Sequence, residues 1–117
     1  MTPFVKLLTK ILGIVLLIVG IAGFFVDGQL LMFEVDTVHN IVHILTGIVG
    51  LVASGTYSYS RLFLIVFGLV YAIVAVVGIA MNGDILGLFF VNMEDNYLHA
   101  AIAALCLVVG FGSKKSV

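Results

Sequence analysis

The chain has 117 residues, 63% hydrophobic and only 9% charged, whereas about a quarter of the residues of a soluble domain carry charge. Its mean hydropathy is +1.35, so the composition is that of a membrane protein. A net charge of −1 and the lack of any longer basic cluster give no footing for nucleic-acid binding. The lone Cys106 rules out an internal disulfide and says nothing of redox compartment.

Four apolar stretches follow one another, over about residues 5–26, 37–54, 61–81 and 96–112. Each approaches the roughly 17–25 residues that a spanning helix needs. They predict an all-α fold: an integral membrane four-helix bundle forming a single membrane domain over residues 1–117. Thr2-Pro3 suits a helix start, with proline in the first turn. Lys6, Lys10 and the apolar run to Val26 also fit a signal peptide, and Gly20-Ile-Ala22 is small enough for a peptidase. The downstream sequence argues for retention. Gly13, Gly23, Asp27 and Gly28 recur 55 residues later as Gly68, Gly78, Asn82 and Gly83.

The first outer loop, residues 27–35, opens on Asp27-Gly28, and the second, residues 82–91, opens on Asn82-Gly83. Both then turn apolar (Leu30 to Phe33, Ile85 to Val91). Irregular backbone cannot face hydrocarbon, so these loops are expected at the interface or folded over the helix ends. Asp36 or Thr37 would cap the second span and Asn92 the fourth, with Glu94 and Asp95 adding favourable charge at the latter's positive end.

On a helix, Asp36, His39, Asn40 and His43 share one face, continued by Gly47, Gly50 and Ser54. The fourth span repeats the pattern 56 residues on: Asn92, Asp95, Asn96, His99, Ala103, Cys106, Gly110. Two two-span repeats, about residues 5–54 and 61–112, enter the membrane in the same direction. Such a parallel repeat has its axis along the membrane normal. The second and fourth spans would then face each other, touching along Gly47–Gly50 and Ala103–Cys106.

Orientation follows from the basic residues. Lys6, Lys10, Arg61, Lys114 and Lys115 fall on one side of four spans, while Asp27, Glu34, Asp36, Asp84, Glu94 and Asp95 fall on the other. The positive-inside rule places both termini in the cytoplasm and the protein in the cell (inner) membrane. Tyr57, Tyr59 and Tyr97 lie near span ends, where amphipathic rings favour headgroups.

The segment from Leu31 to Leu51, with its His39-Asn-x-x-His43-x-x-x-Gly47 pattern, is paired with Asp95-Asn96-x-x-His99 in the segment from Leu86. Together with Gly68-Leu-Val-Tyr71 they resemble the domain of unknown function 4383 family of small bacterial four-span membrane proteins. The resemblance runs from about Lys10 to Gly110; Ala103 stands where the family often carries glycine. It implies the four-span fold and no activity.

The site therefore has to be read from its residues. His43 lies about 10 Å deeper than Asp36 along a helix, roughly a third of the way through a ~30 Å core. Ionisable groups at that depth face the bundle interior and are functional candidates. In the first reading, His39, Asn40, His43, Asp95, Asn96 and His99 hydrogen-bond across helices as structural glue in a membrane scaffold or accessory protein. In the second, His39, His43, Asp95 and His99 ligate a divalent metal or other ion, because histidines at i and i+4 present two imidazoles on one face. In the third, His43 and His99 serve a proton or small-solute path, although Gly47, Gly50, Ala103 and Cys106 beyond them carry no relay. An enzyme is not expected, and no cofactor beyond a possible divalent metal. The expected partners are the lipid bilayer and, beyond it, another membrane protein or a second copy. Tyr71 is expected to pack in the bundle with its hydroxyl bonded.

Overall fold

The computed structural model describes residues 2–114; Lys115, counted above for orientation, lies outside the described residues. The chain forms α1 (Thr2–Gly23), a hairpin of β1 (Gln29–Leu30) and β2 (Phe33–Glu34), and α2 (Thr37–Ala53). It then forms α3 (Tyr57–Ala80), a second hairpin of β3 (Asp84–Ile85) and β4 (Phe89–Phe90), and α4 (Met93–Gly112). Three helices, Pro3–Gly23, Tyr57–Ala80 and Met93–Gly112, are long and apolar enough to cross a membrane. The fourth, α2, is apolar but has 17 residues, about 25 Å of helix against a ~30 Å core. Among the described residues, three of the four expected spans are thus full-length, and α2 stands at the lower limit of the range.

The helices form a bundle in which α1 lies along α2 and α3 along α4, while α1 and, to a lesser extent, α2 also meet α3. Glycine sets the close approaches. A Cβ at Gly47 would stand 2.6 Å from the Leu17 nitrogen and 2.7 Å from the Gly13 carbonyl. A Cβ at Gly68 would meet the Leu107 side chain at 2.9 Å. The small stripe of α2 thus packs on α1, not on α4 as expected. Ala103 packs with Leu16 of α1 and Tyr71 of α3. Cys106 packs with Val5, Leu8, Phe63 and Leu64. Small residues permit close packing of helices, and on α2 they admit the backbone of α1.

Outside this interior, large apolar side chains are bare, among them Val52 at 79%, Val76 at 65% and Val108 at 71% exposure. A soluble monomer does not leave such a surface uncovered. Apolar helices of this length, with an apolar exterior, make this a membrane protein.

The outer loops, expected to be irregular, are short antiparallel hairpins registered Leu30↔Phe33 and Ile85↔Phe89. Each is closed at equivalent places, by Val35 N donating to Gly28 O at 3.0 Å and by Val91 N donating to Gly83 O at 2.9 Å. Both tips place a leucine in the left-handed region, Leu31 at φ 56° and Leu86 at φ 55°. That conformation costs an L-residue about 1–2 kcal/mol.

Candidate metal centre

The helix starts aim the histidines. Asp36 caps α2, its Oδ1 accepting from His39 N at 2.8 Å. One turn apart on the helix so begun, the His39 and His43 rings lie 4.3 Å from centroid to centroid. Asn92 caps α4 through a reciprocal box: its Oδ1 accepts from Asp95 N at 2.9 Å, and Asp95 Oδ2 accepts from Asn92 N at 3.0 Å. One turn further in, His99 turns its ring to within 5.6 Å of His39 and 6.2 Å of His43.

The three imidazoles are 1%, 7% and 3% exposed in the order His39, His43, His99. One donor atom from each lies within 4.8 Å of the other two. A metal held at about 2.0 Å from each nitrogen needs them ~3.3–3.5 Å apart, so side-chain adjustment of little more than an ångström would bring them into coordination. Both ring nitrogens of His39, and Nδ1 of His43 and of His99, are buried with no partner in good hydrogen-bond geometry, the nearest candidate being the Glu34 main chain beside His39. Buried polar atoms are rarely left so, and each unmet group costs about 1–3 kcal/mol.

The remaining members of the predicted cluster do other work. The Asn40 and Asn96 amide oxygens also lack hydrogen-bond donors. They press on glycines of the neighbouring helix in their own half, Asn40 on Gly23 and Asn96 on Gly78, where a Cβ would collide with them. The contacts are of the weak kind that a Cα–H makes with oxygen at helix–helix interfaces. Asp95, expected among the ligands, is not in the histidine group. Its Oδ2 is committed to Asn92 N and, across the molecule, to Glu34 N at 3.2 Å. Asp36 makes the converse bond, its Oδ2 accepting from Phe90 N at 3.0 Å. Asn92 Nδ2 adds a third crossing, donating to Met32 O at 2.9 Å. Each hairpin is thereby tied to the start of the other half's helix.

Two aromatic neighbours complete the surroundings. Phe89, buried on β4, stacks on His39 at 4.9 Å and 26°. Phe89 could not be singled out from the sequence, because it sits in an apolar run with no periodicity to orient it. Tyr71 sets its ring 5.5 Å from His99. Its hydroxyl, expected to be bonded, is buried without a partner, and the nearby Thr46 hydroxyl donates to Val42 O at 2.8 Å. Cys106 lies apart in the apolar cluster of Val5 and Leu64.

The family model described as Domain of unknown function (DUF4383) matches residues 6–112, and the chain belongs to that family. No curated protein and no solved structure matches it.

Proposed function

We propose that this DUF4383 member is a multi-pass protein of the cell membrane, with both termini cytoplasmic, that binds one transition-metal ion through His39, His43 and His99. The supporting observation is the convergence of three buried imidazoles whose nitrogens lie within 4.8 Å of one another and largely lack hydrogen-bond partners. Glue made of histidine–asparagine hydrogen bonds would have satisfied those nitrogens. The glue role falls instead to Asn40 and Asn96, which seat each outer helix end on Gly23 and Gly78. Imidazole is a donor for zinc, copper, iron and nickel alike, and the reading is of a binding protein, not an enzyme.

The test is elemental analysis of the full chain, purified in detergent and dialysed against micromolar Zn²⁺, Co²⁺ and Cu⁺ in separate experiments. One of these metals should be retained at about one atom per chain, and the triple variant His39→Gln, His43→Gln, His99→Gln should retain none. A wild-type protein without metal in every case, or a triple variant that binds as well as wild type, would falsify the reading.

A further inference from the structure

We infer that the three-histidine site is selective for monovalent copper over divalent zinc, cobalt or copper. The inference rests on the metal-binding reading above and concerns which ion the site takes. Its first ground is charge. The three donors are neutral imidazoles, and neither a carboxylate nor a thiolate belongs to the group. A bound ion therefore keeps its full charge among buried groups, with the Phe89 ring stacked on His39 and Tyr71 beside His99. The cost of taking an ion out of water grows with the square of its charge, so a divalent ion costs about four times a monovalent one of equal size.

The nearest carboxylates are already engaged. Asp36 accepts from His39 N and Phe90 N. Asp95 accepts from Asn92 N and Glu34 N. Moving either one onto a metal would uncap a helix and release a hairpin.

The second ground is coordination number. Zinc completes four ligands, with water in the fourth place at open sites. Here three imidazoles converge, and the amide oxygens that might have supplied a fourth lie against Gly23 and Gly78. A closed-shell monovalent copper ion is satisfied by two or three nitrogens and has no geometric demand for more. It binds here without change of oxidation state.

The experiment uses the full chain in detergent, under anaerobic conditions. Cu(I) is supplied as its acetonitrile complex and competed with a chromophoric Cu(I) chelator; Zn²⁺ and Co²⁺ are titrated in parallel against their own indicators. The expected result is one Cu(I) per chain, bound at least about tenfold more tightly than either divalent ion. X-ray absorption should show three nitrogen scatterers and no fourth light ligand. One Zn²⁺ or Co²⁺ per chain bound as tightly as Cu(I), or a four-coordinate copper, overturns the selectivity and leaves the metal-binding reading standing. No binding of any of the three ions overturns both. Equal Cu(I) binding by the folded His39→Gln, His43→Gln, His99→Gln variant, its helix content checked by circular dichroism, places the copper elsewhere and likewise overturns both.

Discussion

At one end of the bundle Thr9, Ser54, Ser60 and Ser113 are buried, and each of these hydroxyls has an acceptor. Thr9 donates to Val5 O at 2.9 Å, Ser54 to Leu51 O at 2.7 Å and Ser60 to Ala53 O at 3.1 Å. Ser113 bonds Tyr57 at 3.1 Å, and Arg61 Nε caps the end of α4 by donating to Gly110 O at 2.8 Å. At the other end His39, His43 and His99 are buried as deeply, yet four of their six ring nitrogens have no partner. The same chain thus closes its hydrogen bonds at one end and leaves them open at the other. Thr9, Ser54 and Ser113 reach a carbonyl three or four residues back along their own segment, and Ser60 reaches across to the last residue of α2. An imidazole held one turn from the next cannot, and it needs something from outside the helix. The difference teaches that the polar residues of the first end serve the fold, while the histidines of the second keep ring nitrogens that the fold does not use.

The comparison breaks most decisively at the histidines. His99→Gln leaves two imidazoles from one helix and should lower metal affinity by about a hundredfold or more; equilibrium dialysis with the purified protein reads this directly. An unchanged affinity would mean that the open end is not the binding end.

Next in size is Gly47→Leu. Gly47 lies one turn beyond His43, against the backbone of Leu17 and Gly13, so a large side chain must part α1 from α2. We expect a loss of about 3 kcal/mol, with metal binding lost as well. Gly112→Leu, where nothing lies within 4 Å, is the control and should melt as wild type does in the same detergent.

A sharper test lies in the sign of two smaller effects. Without metal, His39→Leu removes two unmet buried nitrogens and should raise stability by about 1 kcal/mol. Ser60→Ala at the closed end removes a satisfied bond and should lower it by a similar amount. Thermal melts of the metal-free proteins that moved in the same direction would erase the distinction between the ends.

The smallest effect concerns the hairpin tips. Leu86→Gly relieves a side chain held at φ 55° and should stabilise by up to ~1 kcal/mol. A destabilised variant would show that the Leu86 side chain has a contact worth more than its backbone strain.

Much of this was legible in the sequence because it depends on local rules. Hydropathy located the helices, the Asp36 and Asn92 caps were where short polar side chains precede an apolar run, and helical spacing put His39 and His43 on one face. The neighbour of a face is not a local property. Periodicity showed that Gly47 and Gly50 face a partner, and the partner proved to be α1, with Phe63 of α3 also against Gly50. Asn40 and His43 share a stripe three residues apart, yet the amide oxygen presses on Gly23 while the ring meets His99. Rotamers, which spacing does not encode, separate them. Asp95 shares the stripe, and the geometry shows it in the capping box of α4. The first hairpin escaped because its tip puts Leu31 at φ 56°, where a positive-φ turn ordinarily signals itself with glycine or asparagine; the second carries Gly87 at φ 74° beside Leu86, inside an apolar run that hid it.

The crossed bonds between the halves bear on biosynthesis. As the chain leaves the ribosome, α1, the first hairpin and α2 are complete before Phe90, Asn92 or Asp95 has been added. Until then the second carboxylate oxygen of Asp36, the Glu34 N–H and the Met32 carbonyl lack the partners they hold in the finished molecule. The nascent first half is a helical hairpin with its outer loop untied, and translation of the second half fastens both loops at once. His99 follows Asp95 by four residues, so the third imidazole reaches the site only with the segment that locks the halves together. An ion held by all three imidazoles, as proposed above, would be captured by the assembled protein and not by its precursor.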